Sequence, residues 1–246
     1  RDLIGGTYAA ECNNDLFPVI LKAKQLCQEL SSHLQKKDKA LPLYGVGISL
    51  GGTILLNACL ESSSFLKKNN AVFDGLACTS SPLDLSACSG SIEMSRNSLY
   101  QCWLLKRLVK QTLHDPFLFQ NRENFSAFKQ KNFNPKSIRD FDETITAPRW
   151  GYKNVDEYYL KASPFPKLLN NPQHLPPTLI LQSLDDPWVP PMQAIALDKQ
   201  IRTLINSRMK VVLTPKGGHN GFHSKNGCWG DELVARWIKS LVKKKK

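Results

Sequence analysis

LPLYGVGISLGGTILLNACLE, residues 41–61, is an apolar run that stops at a serine among glycines and resumes at helical spacing. It predicts a strand, a sharp turn and a helix. At its centre Gly47-Ile48-Ser49-Leu50-Gly51 has the GxSxG pattern, in which the two glycines let the backbone turn tightly enough to hold the serine in strained dihedrals above the sheet edge. A serine hydroxyl is a weak nucleophile alone. The reading therefore demands a histidine to take its proton and a carboxylate to orient that histidine, each at the end of another strand.

Downstream, two strand ends offer those groups. TLILQSL (residues 178–184) runs into Asp185-Asp186-Pro187-Trp188-Val189-Pro190, and MKVVLT (residues 209–214) runs into Pro215-Lys216-Gly217-Gly218-His219-Asn220-Gly221-Phe222. Serine, acid and histidine thus follow one another in the chain order expected of a strand–helix hydrolase fold. Each piece alone is weak: a glycine-rich turn, an Asp-Pro helix start, a surface histidine. Three in order, each directly after a predicted strand, point to a catalytic triad. Gly217 and Gly218 permit the close backbone approach that a buried base needs, so His219 is favoured over His223. His114 and His174 read as loop residues and His33 as part of an exposed helical face.

Around these stretches the chain alternates. Leu16, Ile20, Ala23, Cys27, Leu30 and Leu34 predict an amphipathic helix before the first strand, with Asn13, Asn14 and Asp15 as cap candidates and Lys36–Lys39 at its basic end. After a polar turn at Lys67–Asn70, residues 71–78 predict a second strand. Residues 192–204 and 231–242 predict helices, the latter with Leu233, Trp237 and Leu241 on one stripe. From about residue 80 to 177 there are helical patterns, such as Leu99–Leu113, and no convincing strand, which reads as a helical insertion covering the sheet edge. Trp150, Tyr152, Tyr158 and Tyr159 read as its core, with an acyl pocket as the competing use. The whole is an α/β fold, a mostly parallel sheet whose ligand sites lie at the carboxyl ends of its strands.

A chain of 246 residues, 41% hydrophobic, is long enough for one sizeable core, and we read residues 1–246 as a single domain with that insertion. Seven cysteines, an odd number with no CxxC pair, imply free thiols in a reducing, cytoplasmic compartment, and no metal-binding cluster accompanies them. The net charge of +12 comes from scattered lysines with one dense run at Lys243–Lys246. That pattern fits a solvated basic surface able to touch an anionic membrane, and no basic motif with interleaved aromatics points to nucleic acid. No apolar run approaches the roughly 20 residues of a membrane-spanning helix, and no signal peptide opens the chain.

GVGISLGG, FDETITAPRWGYKNVDEYYLKAS, LILQSLDDPWVP and GGHNGF together resemble the α/β hydrolases of AB hydrolase family 4, the esterases and lipases akin to embryogenesis-associated hydrolases. The resemblance runs from near Arg1 to about Trp237, and residues 141–163 are its most specific part. It implies an α/β-hydrolase fold and a cofactor-free serine hydrolase acting on small acyl or lipid-type esters. Ser49 is then the nucleophile, His219 the base and an aspartate of the DDP loop the acid. In such folds the acid commonly precedes a proline by four positions, which selects Asp186 and leaves Asp185 to cap the loop or the helix starting near Pro191. The Leu50 backbone N–H is the expected oxyanion donor. One departure stands out. None of the five histidines is followed by glycine, so the HG-type loop that supplies a second donor is absent, and only about one helix precedes the elbow strand. This predicts a chain lacking the family's N-terminal strands. An acyltransferase using the same triad, or a non-catalytic ligand-binding member of the fold, are the alternative functions; the sequence leaves oligomeric state open.

Overall fold

The computed structural model describes residues 9–34, 41–61, 73–115, 134–170, 175–204 and 207–244. Lys36–Lys39, Lys67–Asn70, His174 and the side chains of Lys243–Lys246 lie outside the described residues. The chain divides into two compact units, one of Ala10–Asp84 with Ser163–Lys246, the other of Leu85–Ala162 with Arg1–Ala9.

The first unit holds a parallel sheet of β1 (Tyr44–Ile48), β2 (Gly75–Thr79), β3 (Thr178–Ser183) and β4 (Met209–Thr214), in that spatial order. β2 and β3 are buried at every position, as befits central strands covered on both faces. One face packs Leu76, Cys78, Ile180 and Val211 against Ile20, Leu56, Leu168 and Leu197, from helices Asn13–His33, Leu50–Glu61, Phe165–Asn170 and Met192–Ile201. Side chains alternate along a strand, so the opposite face carries Ala77 and Leu179. There the helix Trp229–Lys244 lays Val234, Trp237 and Ile238, which widens the predicted stripe by two positions. Each leucine fully buried in this way contributes about 2 kcal/mol of transfer free energy. Among the described residues β1 and β4 are the outer strands, and the alternate residues Val46 and Ile48 of β1 remain exposed.

The first helix departs from its expected caps. Cys12 occupies the N-cap, its carbonyl rather than its side chain taking the Asp15 and Leu16 N–H groups. Asn13 is instead buried and donates to Glu61 at the end of the elbow helix. Long-range pairing has won over local capping. The apolar stripe also runs out: Ile20 is buried, whereas Leu30 and Leu34 are exposed.

Among its described residues the second unit has helices and no strand. It contains Leu85–Ile92, Ser98–Leu113, Ile138–Phe141, a π-helical turn Asp142–Thr146, Ala147–Arg149 and Val155–Ala162. Leu105, Phe141 and Ile145 form its apolar centre. Beside it the Asp142 carboxylate accepts from the Thr146 hydroxyl at 2.6 Å and the Tyr159 hydroxyl at 2.8 Å. Burial pushes the Asp142 carboxyl up to about 6, against the opposing pull of those two hydrogen bonds. Burial, with the Asp142 charge second, also raises the Tyr159 phenol. Tyr158 and Tyr159 are buried, and the Tyr158 ring lies tilted against Tyr152 at a centroid separation of 5.2 Å and against Tyr159 at 5.5 Å, so these rings form part of the core.

Candidate active site

Ser49 follows β1 directly, with φ of 53° and its N–H bonded to the Thr79 carbonyl at 2.9 Å. A positive φ at a serine is strained, and the surroundings hold it there. The glycines that make this possible are Gly47 and Gly52. A Cβ on Gly47 would lie 2.4 Å from the Gly52 Cα, and one on Gly52 would lie 1.9 Å from the Ser81 hydroxyl. Gly51, the second glycine of the sequence pattern, has open space where a Cβ would point. The tight approach is therefore one residue further along than the motif suggests. Leu50 opens the helix, and its N–H belongs to the first turn, which has no intrahelical acceptor.

His219 reaches across from the loop after β4. Its Nε2 lies 2.9 Å from the Ser49 Oγ, and its Nδ1 lies 3.0 and 3.3 Å from the two Asp186 carboxylate oxygens. The three residues that sequence order selected thus meet within the first unit. Asp186 comes from the loop after β3, its side chain fully buried. Besides the imidazole it accepts from the Trp188 and Val189 N–H groups, each at 3.0 Å, and from Gln182 Nε2 at 3.3 Å. Four donors converge on one carboxylate, which fixes its orientation and hence that of the ring. Trp188 packs on His219, with ring centroids 4.6 Å apart.

Gly217 and Gly218 serve different ends. A Cβ on Gly217 would strike the Phe222 ring at 2.6 Å, whereas Gly218 has open space but a φ of 54°. Of the two roles expected for Asp185, capping the following helix is not taken up. The helix that follows has Pro191 at its N-cap with no side-chain bond, and the Asp185 carboxylate instead accepts the Gly218 N–H at 2.8 Å, beside the histidine. That bond holds the exposed Asp185 carboxyl below the usual range. His223, His114 and His33 are all exposed.

Three further residues brace the site. Asn220, at φ of 61°, accepts from the Thr79 hydroxyl at 2.7 Å and offers its own N–H to Ser80 Oγ at 3.2 Å. Thr79 therefore ties both the serine and the histidine loops to the end of β2. Ser183 donates to the Gly218 carbonyl at 2.6 Å. A signal existed for Asn220, because Asn-Gly marks a left-handed turn after His219, and for Gln182 on Asp186, because it is a polar residue following the apolar run of its strand. The pairing of Thr79 with Asn220 spans 141 positions and has no local signal.

A strand, a serine at a strained turn, and an acid and a histidine after the next two strands compose an α/β-hydrolase fold. No family model matches the chain. Curated relatives do: human phospholipase ABHD3 is 31% identical over 220 residues, covering 85% of this chain and 49% of the relative. The putative esterase YheT of Escherichia coli is 28% identical over 221 residues, 86% of this chain and 59% of the relative. The medium-chain fatty acid ethyl ester synthase/esterase 2 of Saccharomyces cerevisiae is 29% identical over 236 residues, 85% of this chain and 49% of the relative. The chain thus spans about half the length of the relatives it matches. Among the described residues no disulfide joins any of the seven cysteines, no His/Cys/Asp/Glu group could hold a metal ion, and no helix is long and apolar enough to cross a membrane. Burial drives the Cys59 thiol up to about 12 and raises the Cys78 thiol well above its usual value, which makes both poor nucleophiles.

Proposed function

We propose that this chain carries the catalytic centre of a serine hydrolase of carboxylic esters of acyl or lipid type, working through an acyl-enzyme in a reducing compartment. The observation that carries the reading is the continuous contact from Ser49 Oγ to His219 Nε2 and from His219 Nδ1 to Asp186. In the forward step Ser49 Oγ bonds to the ester carbonyl carbon while His219 Nε2 accepts its proton. Asp186 holds the ring tautomer and favours the imidazolium that forms. The carbonyl oxygen gathers negative charge, and the Leu50 N–H at the helix start donates to it. Collapse of the tetrahedral species breaks the bond to the alcohol, which leaves with the proton from His219. Water then repeats the sequence on the acyl-serine, giving up its proton to His219 and releasing the carboxylic acid and free Ser49. No cofactor or metal is needed. A fluorophosphonate probe should add to Ser49, and the Ser49→Ala variant should neither label nor hydrolyse a chain-length series of aromatic acyl esters. Labelling that survives the substitution overturns the reading.

Transfer to an alcohol in place of water is a second reading, supported by the yeast relative named both synthase and esterase. Product analysis with and without added alcohol separates the two, since only transfer yields a new ester. A non-catalytic, ligand-binding role is disfavoured by the unbroken contact among all three triad residues.

A further inference from the structure

The helix Ser98–Leu113 has two unlike faces. Leu105 and Thr112 are buried within the helical unit, with Leu108 and Val109 packed beside the same core. The outward face repeats at helical spacing as Leu99, Trp103, Lys106, Lys110 and Leu113, all exposed, with Arg107 alongside. Leu99 is 87% exposed and Trp103 52%. Burying so much apolar surface would be favourable, and among the described residues it stays largely open to solvent. Arg107 lies over the Trp103 ring at 4.9 Å, and Tyr100 stacks on Trp103 at 6.0 Å.

Its charge is one-sided. Residues 94–114 contain Arg96, Lys106, Arg107 and Lys110 and not a single aspartate or glutamate. The flanking acids are engaged elsewhere: Glu93 accepts from Ser89 and the Arg139 N–H, and Asp115 pairs with Arg149. An ordinary solvated helix face mixes both signs, whereas this one alternates cations with large apolar and aromatic side chains. Beside it lies an open groove of about 570 Å³, whose apolar floor includes Leu105, Val109 and Leu113 and whose rim carries Lys106, Lys110 and Lys136.

We propose that this face docks on an anionic lipid bilayer, with Leu99 and Trp103 entering the interface and Lys106, Arg107 and Lys110 against the headgroups. Tryptophan suits the boundary because one part of its ring is apolar and its N–H wants a polar partner. Basic side chains snorkel, placing their stems in the same layer and their charge at the phosphates. A polyanion such as RNA would satisfy the cations but leave Leu99 and Leu113 in water, so the apolar content favours lipid. The inference is independent of the chemistry at Ser49.

Sedimentation of the whole chain with vesicles tests it, using phosphatidylcholine alone or mixed with phosphatidylserine. Binding is expected only to the mixed vesicles and should weaken as salt rises. Replacing Lys106, Arg107 and Lys110 together by Gln should lower partitioning about a hundredfold, at about fivefold per cation. The same three-charge change at exposed Lys199, Lys210 and Lys225 should leave most of it intact. Brominated lipid chains should quench part of the tryptophan emission in the parent chain and less in Trp103→Phe. Equal losses in the two triple variants, absence of vesicle binding by the folded parent, or preference for RNA over vesicles would each overturn the assignment.

Discussion

The two units bury polar side chains to different ends. In the sheet unit the buried carboxylate of Asp186 takes two backbone N–H groups, a glutamine amide and an imidazole, and the contact runs outward to the Ser49 hydroxyl. In the helical unit the buried carboxylate of Asp142 takes two neutral hydroxyls, from Thr146 and Tyr159. The same functional group, similarly withdrawn from water, is aimed at a reactive atom in one case and at its own helices in the other. What separates a catalytic carboxylate from a structural one is the identity of its donors, since burial is common to both.

The largest effect expected from this contrast is at Asp186. Asp186→Asn keeps the shape of the side chain but removes the charge that favours the imidazolium, so turnover should fall by about four orders of magnitude. The melting temperature should move little, because the amide oxygen still accepts the Trp188 and Val189 N–H groups. Steady-state kinetics and thermal melts on the same preparation check it. A variant that melts early and retains its turnover would reverse the contrast.

Asp142 is expected to show the opposite pattern. Its folded carboxyl is pushed up to about 6, above the unfolded value, so the folded state holds its proton more tightly. That contribution is fully present below about pH 4 and is lost as pH rises through about 6; carrying the charge at neutral pH costs on the order of 3 kcal/mol. Denaturant unfolding at pH 5 and pH 7.5 should show the parent losing stability over this window. Asp142→Asn should flatten that slope while leaving the Ser49 chemistry intact. A slope that persists in the variant assigns the proton to another group.

Smaller, and confined to the elbow, is the difference between two adjacent glycines. Gly52→Ala drives a methyl into Ser81 and should cost about 1–3 kcal/mol, the usual range for overpacking. Gly51→Ala meets open space and should leave the melt unchanged. The sequence pattern names Gly51 because it counts residues, whereas the steric demand depends on which Cα faces the neighbouring strand end.

That shift shows what was legible in the chain and what was not. Strands and helices of the sheet unit stand in the sequence because each must bury a continuous apolar face, and the ends of β1, β3 and β4 mark where Ser49, Asp186 and His219 sit. These three meet because a parallel sheet brings its strand ends to one edge. The helical unit is less legible. Its π-helical turn at Asp142–Thr146 breaks the 3.6-residue period two residues before Pro148, and its acid is held by Tyr159, 17 positions away. Contacts that depend on tertiary approach, such as Thr79 with Asn220 or Asn13 with Glu61, leave no periodic trace.

The smallest expected effect belongs to Asp185, the neighbour bonded to backbone beside the imidazole. Its carboxylate accepts one backbone N–H, from Gly218, in the residue before His219 and at a φ that only glycine adopts freely. Asp185 is exposed, so water can replace the carboxylate once it is removed, and no large stability change is expected. The carboxyl sits below its usual range, which means that its contribution is present above the unfolded value near 4 and is lost only as pH falls further. At neutral pH Asp185→Asn keeps an acceptor for Gly218 and should be close to silent. Asp185→Ala removes the acceptor and loosens the backbone that aims His219, so turnover should fall by less than about tenfold while KM holds. Kinetics on the Ala and Asn variants at neutral pH check this ordering. If Asp185→Asn is the inactive substitution and Asp186→Asn the silent one, the carboxylate that orients His219 has been assigned one residue too late.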